Sequence, residues 1–187
     1  IATIVYTHLQ NTIATAKWVE HSHLVTAKGH QLVKLMLDME TGERGYLITG
    51  KPVFLEPFNN AKEAWKHHIS ELKTLVMNNP AQVKKIEKVN KLQKQWLKQA
   101  AQVEIATRKK VNNKKASLDD VVALIENETG KQIIDNIRLI KNNFIKIEQQ
   151  LLVKRQKLAL TALENTKNII VTGTLIASIL AVFSTLF

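Results

Sequence analysis

Three features of this 187-residue chain predict an all-α fold. Long stretches are rich in Lys, Gln, Ala, Leu, Ile and Glu, side chains that lose little entropy in a helix. Only three prolines and six glycines interrupt them. No run alternates apolar and polar residues between turn signals, as a half-buried strand does. A hydrophobic fraction of 45% supplies a real core. The expected architecture is an elongated up-down four-helix bundle with long first and fourth helices, the fourth continuous with a transmembrane helix.

The first helix spans about Thr12 to Thr49. Trp18, Val25, Leu32, Met39 and Tyr46 recur every seven residues, the repeat of a bundle seam. Beside them run Ser22, Gly29, Met36 and Glu43, small or polar positions that admit a neighbouring helix. Gly50-Lys51-Pro52 ends the helix, with glycine at C′ and proline beyond. The second helix runs from about Phe54 to Met77, with Pro57 tolerated in its first turn. Phe58, Trp65 and Leu72 form one seam; Phe54, Ala61, His68 and Leu75 form the next. Asn78-Asn79-Pro80 is a turn signal. The third helix, about Ala81 to Val111, turns Ile86, Val89, Trp96, Ala100 and Val103 inward, and Asn112 and Asn113 weaken its end. Ser117-Leu118-Asp119-Asp120 is a capping arrangement opening the fourth helix. There Ile133, Ile137, Ile140, Phe144, Ile147 and Leu151 alternate at spacings of four and three, and Leu158 continues the line. With no Gly or Pro between Gly130 and Gly173, this helix is expected to run unbroken into the membrane span.

Helix lengths test the arrangement. At about 1.5 Å per residue, rises of about 45 and 31 residues cancel descents of about 25 and 51, giving a rod about 70 Å tall. Its outer half holds four helices and its membrane-proximal half two. Two helices cannot bury both apolar seams alone, so a parallel homodimer is expected to complete that section.

Composition narrows the function. The chain has no cysteine, which removes disulfides, thiolate metal sites and cysteine nucleophiles. The net charge of +11 is spread over all the helices among acids and amides, with no single-sign block. It reads as a solvated surface, and no nucleic-acid partner is expected. Ile169 to Phe187, IIVTGTLIASILAVFSTLF, is about 19 residues without a charge, enough to cross a bilayer. Residues 1–11 read as the end of a first membrane helix with its juxtamembrane turn. Residues 12–168 form a helical domain outside the membrane, and 169–187 a transmembrane helix, so the chain reads as the middle of a larger membrane protein. No phosphate loop or nucleophile elbow is present, so no cofactor and no catalysis are expected within these residues. The histidines His21, His23, His67 and His68 lack the i, i+4 spacing of helical zinc ligands, so no metal site is expected.

The strings Trp18-Val19-Glu20-His21-Ser22-His23, Glu40-Thr41-Gly42-Glu43-Arg44-Gly45-Tyr46-Leu47-Ile48-Thr49-Gly50 and Phe54-Leu55-Glu56-Pro57-Phe58 resemble the third class of CHASE domains. These are cyclase/histidine-kinase-associated sensory extracellular domains. Asn79-Pro80, Trp96 and Gly130-Lys131 with Asp135, Ile137 and Arg138 fit the same pattern, which covers Trp18 to about Leu158. The resemblance implies an extracytoplasmic or periplasmic sensor in the inner (plasma) membrane, responding to an unidentified small-molecule or protein stimulus. It also implies an output as a histidine kinase, chemoreceptor or nucleotide cyclase beyond the chain. A structural spacer and dimerisation module without its own ligand is the competing reading. Lys154, Arg155, Lys157 and Lys167 lie on the implied outer side, against the usual positive-inside bias.

By height, Glu40 to Arg44 lies level with Glu128 to Asp135. Asp38 or Glu40 is expected to pair with Arg138, and Arg44 with Glu128. Asp38, Glu40, Arg44, Tyr46, Glu128, Asp135 and Arg138 are thus the candidate layer. Such a layer either fixes helix register or receives a ligand. Gly42, Gly45 and Gly130 are expected to allow close helix approach, offsetting the roughly 1 kcal/mol each costs in a helix interior.

Overall fold

The computed structural model describes residues 2–186, which form six α-helices: α1 (Ala2–Thr49), α2 (Glu56–Leu75), α3 (Pro80–Trp96), α4 (Gln102–Asn112), α5 (Leu118–Glu126) and α6 (Thr129–Leu186). A 3-10 turn, Pro52–Leu55, leads into α2, and a π-helical turn, Leu97–Ala101, joins α3 to α4. No strand occurs among the described residues. The fold is all-α with long first and last helices, as the composition predicts. Ile1 and Phe187, the outer limits of the expected membrane segments, lie outside the described residues.

The helix ends follow from local chemistry. Gly50 takes the left-handed conformation, φ 68°, and its N–H donates to the Tyr46 carbonyl at 2.7 Å, closing α1. Pro57 sits in the first turn of α2, where no intrahelical N–H is needed. Asn79 caps α3: its side-chain oxygen accepts from the Gln82 N–H at 3.3 Å, with Pro80 next. Ser117 and Asp120 form the reciprocal capping box at the start of α5. The two hydrogen bonds from Ser117 hold the Asp120 carboxyl below its usual range.

Two expectations about the helices are corrected. The fourth helix does not run continuously from Ser117. It breaks at Asn127–Glu128, where Glu128 adopts φ 57° and the Asn127 side chain accepts the Thr129 N–H at 2.9 Å. From Thr129 onward it is uninterrupted, as expected. In the third helix the π turn holds one more residue per turn than an α-helix, which offsets the register beyond it. Ala101, Glu104, Ile105 and Arg108 therefore face inward, and Val103, expected inside, is exposed.

The chain divides into two compact units, and both long helices contribute to each. One unit is Val25–Ile147. Its core takes Val25, Leu32, Met39 and Tyr46 from α1, Phe58, Trp65 and Leu72 from α2, and Ile86, Val89 and Trp96 from α3. Ile137 and Phe144 of α6 complete it. Burying each large apolar side chain stabilises the fold by about 1.5–3 kcal/mol. Phe54, expected in a seam of the second helix, belongs instead to the 3-10 turn, where its ring lies against Gly45 of α1 and stays partly exposed. Two polar ties cross this core. Gln82, fully buried, donates to the Phe144 carbonyl at 3.2 Å, and Trp65 Nε1 donates to Asn90 at 3.1 Å.

The second unit contains the residues up to Leu24 and those from Glu148 onward. Here only α1 and α6 pack, through small polar groups. The Thr12 and Thr166 hydroxyls meet at 2.9 Å, and Thr166 also donates to the Ala162 carbonyl at 2.8 Å. Arg155 donates to the buried Ser22 hydroxyl and lays its guanidinium 4.7 Å from the centre of the Trp18 ring. With two helices there is nothing to cover Trp18 fully, or Leu158, and both are exposed rather than seam residues. α6 contains a stretch long and apolar enough to cross a membrane, and Leu175, Ile179, Val182 and Phe183 in it point outward.

Candidate functional site

Within the Val25–Ile147 unit, the last turns of α1, the end of α3 and start of α4, α5 and the start of α6 come together around a group of acids. The site begins with close backbone packing. A Cβ on Gly42 would lie 2.8 Å from the Phe58 N and 2.9 Å from the Phe54 carbonyl oxygen, so only glycine lets the start of α2 rest on α1. One turn further, Arg108 and Asn112 finish α1. The Arg108 Nε donates to the Leu47 carbonyl at 2.8 Å, and Asn112 donates to the Gly50 carbonyl at 2.8 Å. These are carbonyls that a helix end leaves without partners.

The candidate layer is a chain of alternating charges. Glu40, 4% exposed, accepts from Arg44 at 2.7 Å and from Arg138 at 3.2 Å. Arg138 also reaches Asp135 at 3.1 Å, and Asp135 accepts from Lys131 at 3.2 Å. The Lys131 bond first, with Arg138 adding to it, holds the Asp135 carboxyl below its usual range. Of the two acids expected opposite Arg138, Glu40 takes it. Asp38 instead pairs with Lys34 at 2.6 Å, one turn back on the same helix. Arg44 does not meet Glu128; it is held by Glu40, four residues earlier, while Glu128 makes the left-handed link and accepts the Gln132 N–H at 2.9 Å through its carbonyl. Tyr46 is buried in the core.

The structure adds two residues that the sequence did not mark as site residues. Glu43, one turn beyond Glu40, is 4% exposed, and its carboxyl is hydrogen-bonded to that of the buried Glu104 on α4. Burial first, then the bond to Glu104 and that group's negative charge, push the Glu43 carboxyl up to about 9, against a smaller opposing pull from Arg44. Glu43 is therefore protonated at neutral pH. The signal available was a glutamate on an otherwise apolar or small seam, at Ser22, Gly29, Met36 and Glu43. Glu104 was hidden because the π turn alone brings it inward. The two carboxyls, with Glu40, Arg44, Trp96 and Lys131, line a pocket of about 80 Å³.

No group of His, Cys, Asp and Glu among the described residues is arranged to hold a metal ion. The Glu40–Arg138 ion pair ties α1 to α6.

Comparison with known proteins fits this architecture. The family model of the CHASE3 domain matches residues 15–157. A search of the curated proteins returns no match. Among solved structures, the crystal structure of the Rhodopseudomonas palustris histidine kinase HK9 sensor domain is similar in fold. Its TM-score is 0.54 at 18% identity, over 71% of this chain and 98% of that one.

Proposed function

The chain belongs to the CHASE3 domain family, and from that premise we propose how it signals: a change in helix packing at the Glu40–Arg138 layer passes along α6 into the membrane. Its general role is that of a sensory domain of a signalling receptor. The observation that carries the finer reading is α6 itself. One uninterrupted helix, Thr129–Leu186, bears Lys131, Asp135 and Arg138 near its start and the apolar stretch towards its end. A stimulus can act only by favouring one packing over another, and the charge chain is a set of bonds that two packings can hold differently. In this reading the protein sits in the inner membrane with this domain outside the cytoplasm. Its output is a histidine kinase or a chemoreceptor-type assembly, and a sensor of a nucleotide cyclase is the alternative. The structural neighbour's name supports the kinase reading.

The test needs no known stimulus. The chain is joined through α6 to a reporter kinase, and one to seven alanines are inserted after Leu160. If α6 transmits rotation, kinase output should rise and fall with insert length at helical period. Output that falls steadily or stays level sinks the transmission reading and favours a passive spacer.

A further inference from the structure

Between α1, α2, α3 and α6 the core of the Val25–Ile147 unit holds a cleft of about 30 Å³ whose wall is apolar throughout. Leu32, Trp65, Ile86, Val89, Ile137 and Phe144, all buried, form most of it. Their polar groups are bonded elsewhere: Trp65 Nε1 donates to Asn90 at 3.1 Å, and the Phe144 carbonyl accepts from Gln82 at 3.2 Å. Water inside would find no hydrogen-bonding partner on the wall, so the cleft favours an apolar occupant. At about 10–15 Å³ per water-sized sphere, there is room for about two carbon atoms.

The mouth of the cleft has a different chemistry. Its partly exposed lining residues include Lys85 of α3 and Lys141 of α6. Their stems complete the apolar wall, and their ammonium groups lie outside it, at the rim. Lysines that bridge other helix pairs have acids. Lys28 of α1 holds Glu71 of α2 at 2.8 Å, and Lys73 of α2 holds Glu87 of α3 at 2.7 Å. Lys85 makes only a 3.4 Å contact to the Ala81 carbonyl one turn back. Among the described residues no carboxylate pairs with it or with Lys141.

We propose that this cleft binds a short-chain monocarboxylate, with its alkyl end among Ile86, Ile137 and Phe144 and its carboxylate between the Lys85 and Lys141 ammonium groups. Complementarity at both ends selects this class. A cation would meet two lysines at the rim, and a neutral molecule would leave both without an anion. A second charge, as on a dicarboxylate or an amino acid, would have to enter the apolar wall, where burial penalises it heavily. A carboxylate at the rim takes charge-assisted hydrogen bonds from α3 and α6 together. Ile137 and Lys141 lie within one turn of Arg138 on α6, so a ligand that joins α3 to α6 here acts beside the charge chain. The proposal names a ligand class for the sensory reading above and rests on that reading for its role, while binding is tested by itself.

The experiment is methyl NMR of the isoleucine-, leucine- and valine-labelled chain in detergent micelles at neutral pH, titrated with acetate, propionate and 1-propanol. Propionate should shift the Ile86, Ile137 and Leu32 methyl signals along one saturable curve. It should bind about fourfold more tightly than acetate, the gain from one buried methylene. 1-Propanol, with the same chain length and no charge, should bind several-fold more weakly. Lys85→Met with Lys141→Met keeps the stems and removes the charges, and this double variant should bind propionate no better than 1-propanol. Val89→Ile adds a methyl group to the space and should weaken propionate binding, while circular dichroism shows the helix content and melt of the parent. Shifts that do not saturate, equal affinity of the parent for propionate and 1-propanol, or unaltered propionate binding in either variant overturns the proposal. Such a failure leaves the transmission reading standing, since that rests on the insertion series. A level insertion series with propionate bound would instead leave the site without that signalling role.

Discussion

In the unfolded chain the Glu43 carboxyl ionises near its ordinary value of 4.5, whereas in the bundle it keeps its proton until pH approaches 9. The folded state therefore binds more protons between those limits, and stability falls as pH rises through that window. The contribution is complete below about pH 4.5 and lost above about pH 9. Glu43→Gln mimics the protonated acid and can still donate to Glu104. Thermal melts from pH 5 to 9 should show the parent losing several degrees that the variant keeps, at about 2–4 °C per kcal/mol for a chain of this size. Glu40 differs from Glu43 in its partners, the Arg44 and Arg138 guanidiniums. Glu40→Ala should cost about 1–2 kcal/mol in chemical denaturation. Arg44→Ala, whose side chain is 65% exposed, should cost less than about 1 kcal/mol. The Glu40–Arg138 contact was legible in the sequence because helix rise converts residue number into height. The Glu43–Glu104 contact was not, because it joins distant residues whose facing depends on a register shift that no residue type announces.

At the scale of elements, the heptad seam through Val25, Leu32, Met39 and Tyr46 could be read directly, since seven residues return a side chain to nearly the same face of a helix. Gly50 and the Ser117 capping box were equally plain, because their chemistry at helix ends is local. The break at Asn127–Glu128 carries neither Gly nor Pro, and its left-handed glutamate follows an asparagine whose side chain accepts the Thr129 N–H. The π turn is silent in the same way: nothing in Leu97-Lys98-Gln99-Ala100-Ala101 departs from helix-forming residues. It has a mechanical prediction. Deleting the exposed Lys98 should restore α-helical spacing while keeping Glu104, Ile105 and Arg108 inward, leaving a cooperative melt close to the parent's. Adding an alanine after Gln102 instead turns those three residues about 100° off the core, at 3.6 residues per turn. That variant should lose cooperative unfolding by circular dichroism. Gly42→Ala presses a methyl group onto the backbone of Phe54 and Phe58 and should destabilise by about 1–3 kcal/mol.

At the scale of the whole molecule, the two units differ in how their helices are covered. In the two-helix unit Ile13, Leu24, Val153 and Leu163 face outward along with Leu158. A homodimer would cover them, and light scattering in mild detergent should give a protein mass of twice 21.2 kDa. A monomer at high concentration would remove this expectation. Composition and apolar runs announce helices and a candidate span without difficulty. They say little about stimulus or partner, because those depend on side chains assembled from separate helices. The guanidinium over Trp18 also has an optical side. That indole is half-open to solvent, whereas Trp65 and Trp96 are enclosed in the other unit's core. Its fluorescence should therefore peak at longer wavelength than theirs and answer to iodide quenching, while theirs should not. Replacing two tryptophans at a time by phenylalanine then gives each unit its own lamp, and packing in one can be watched separately from packing in the other.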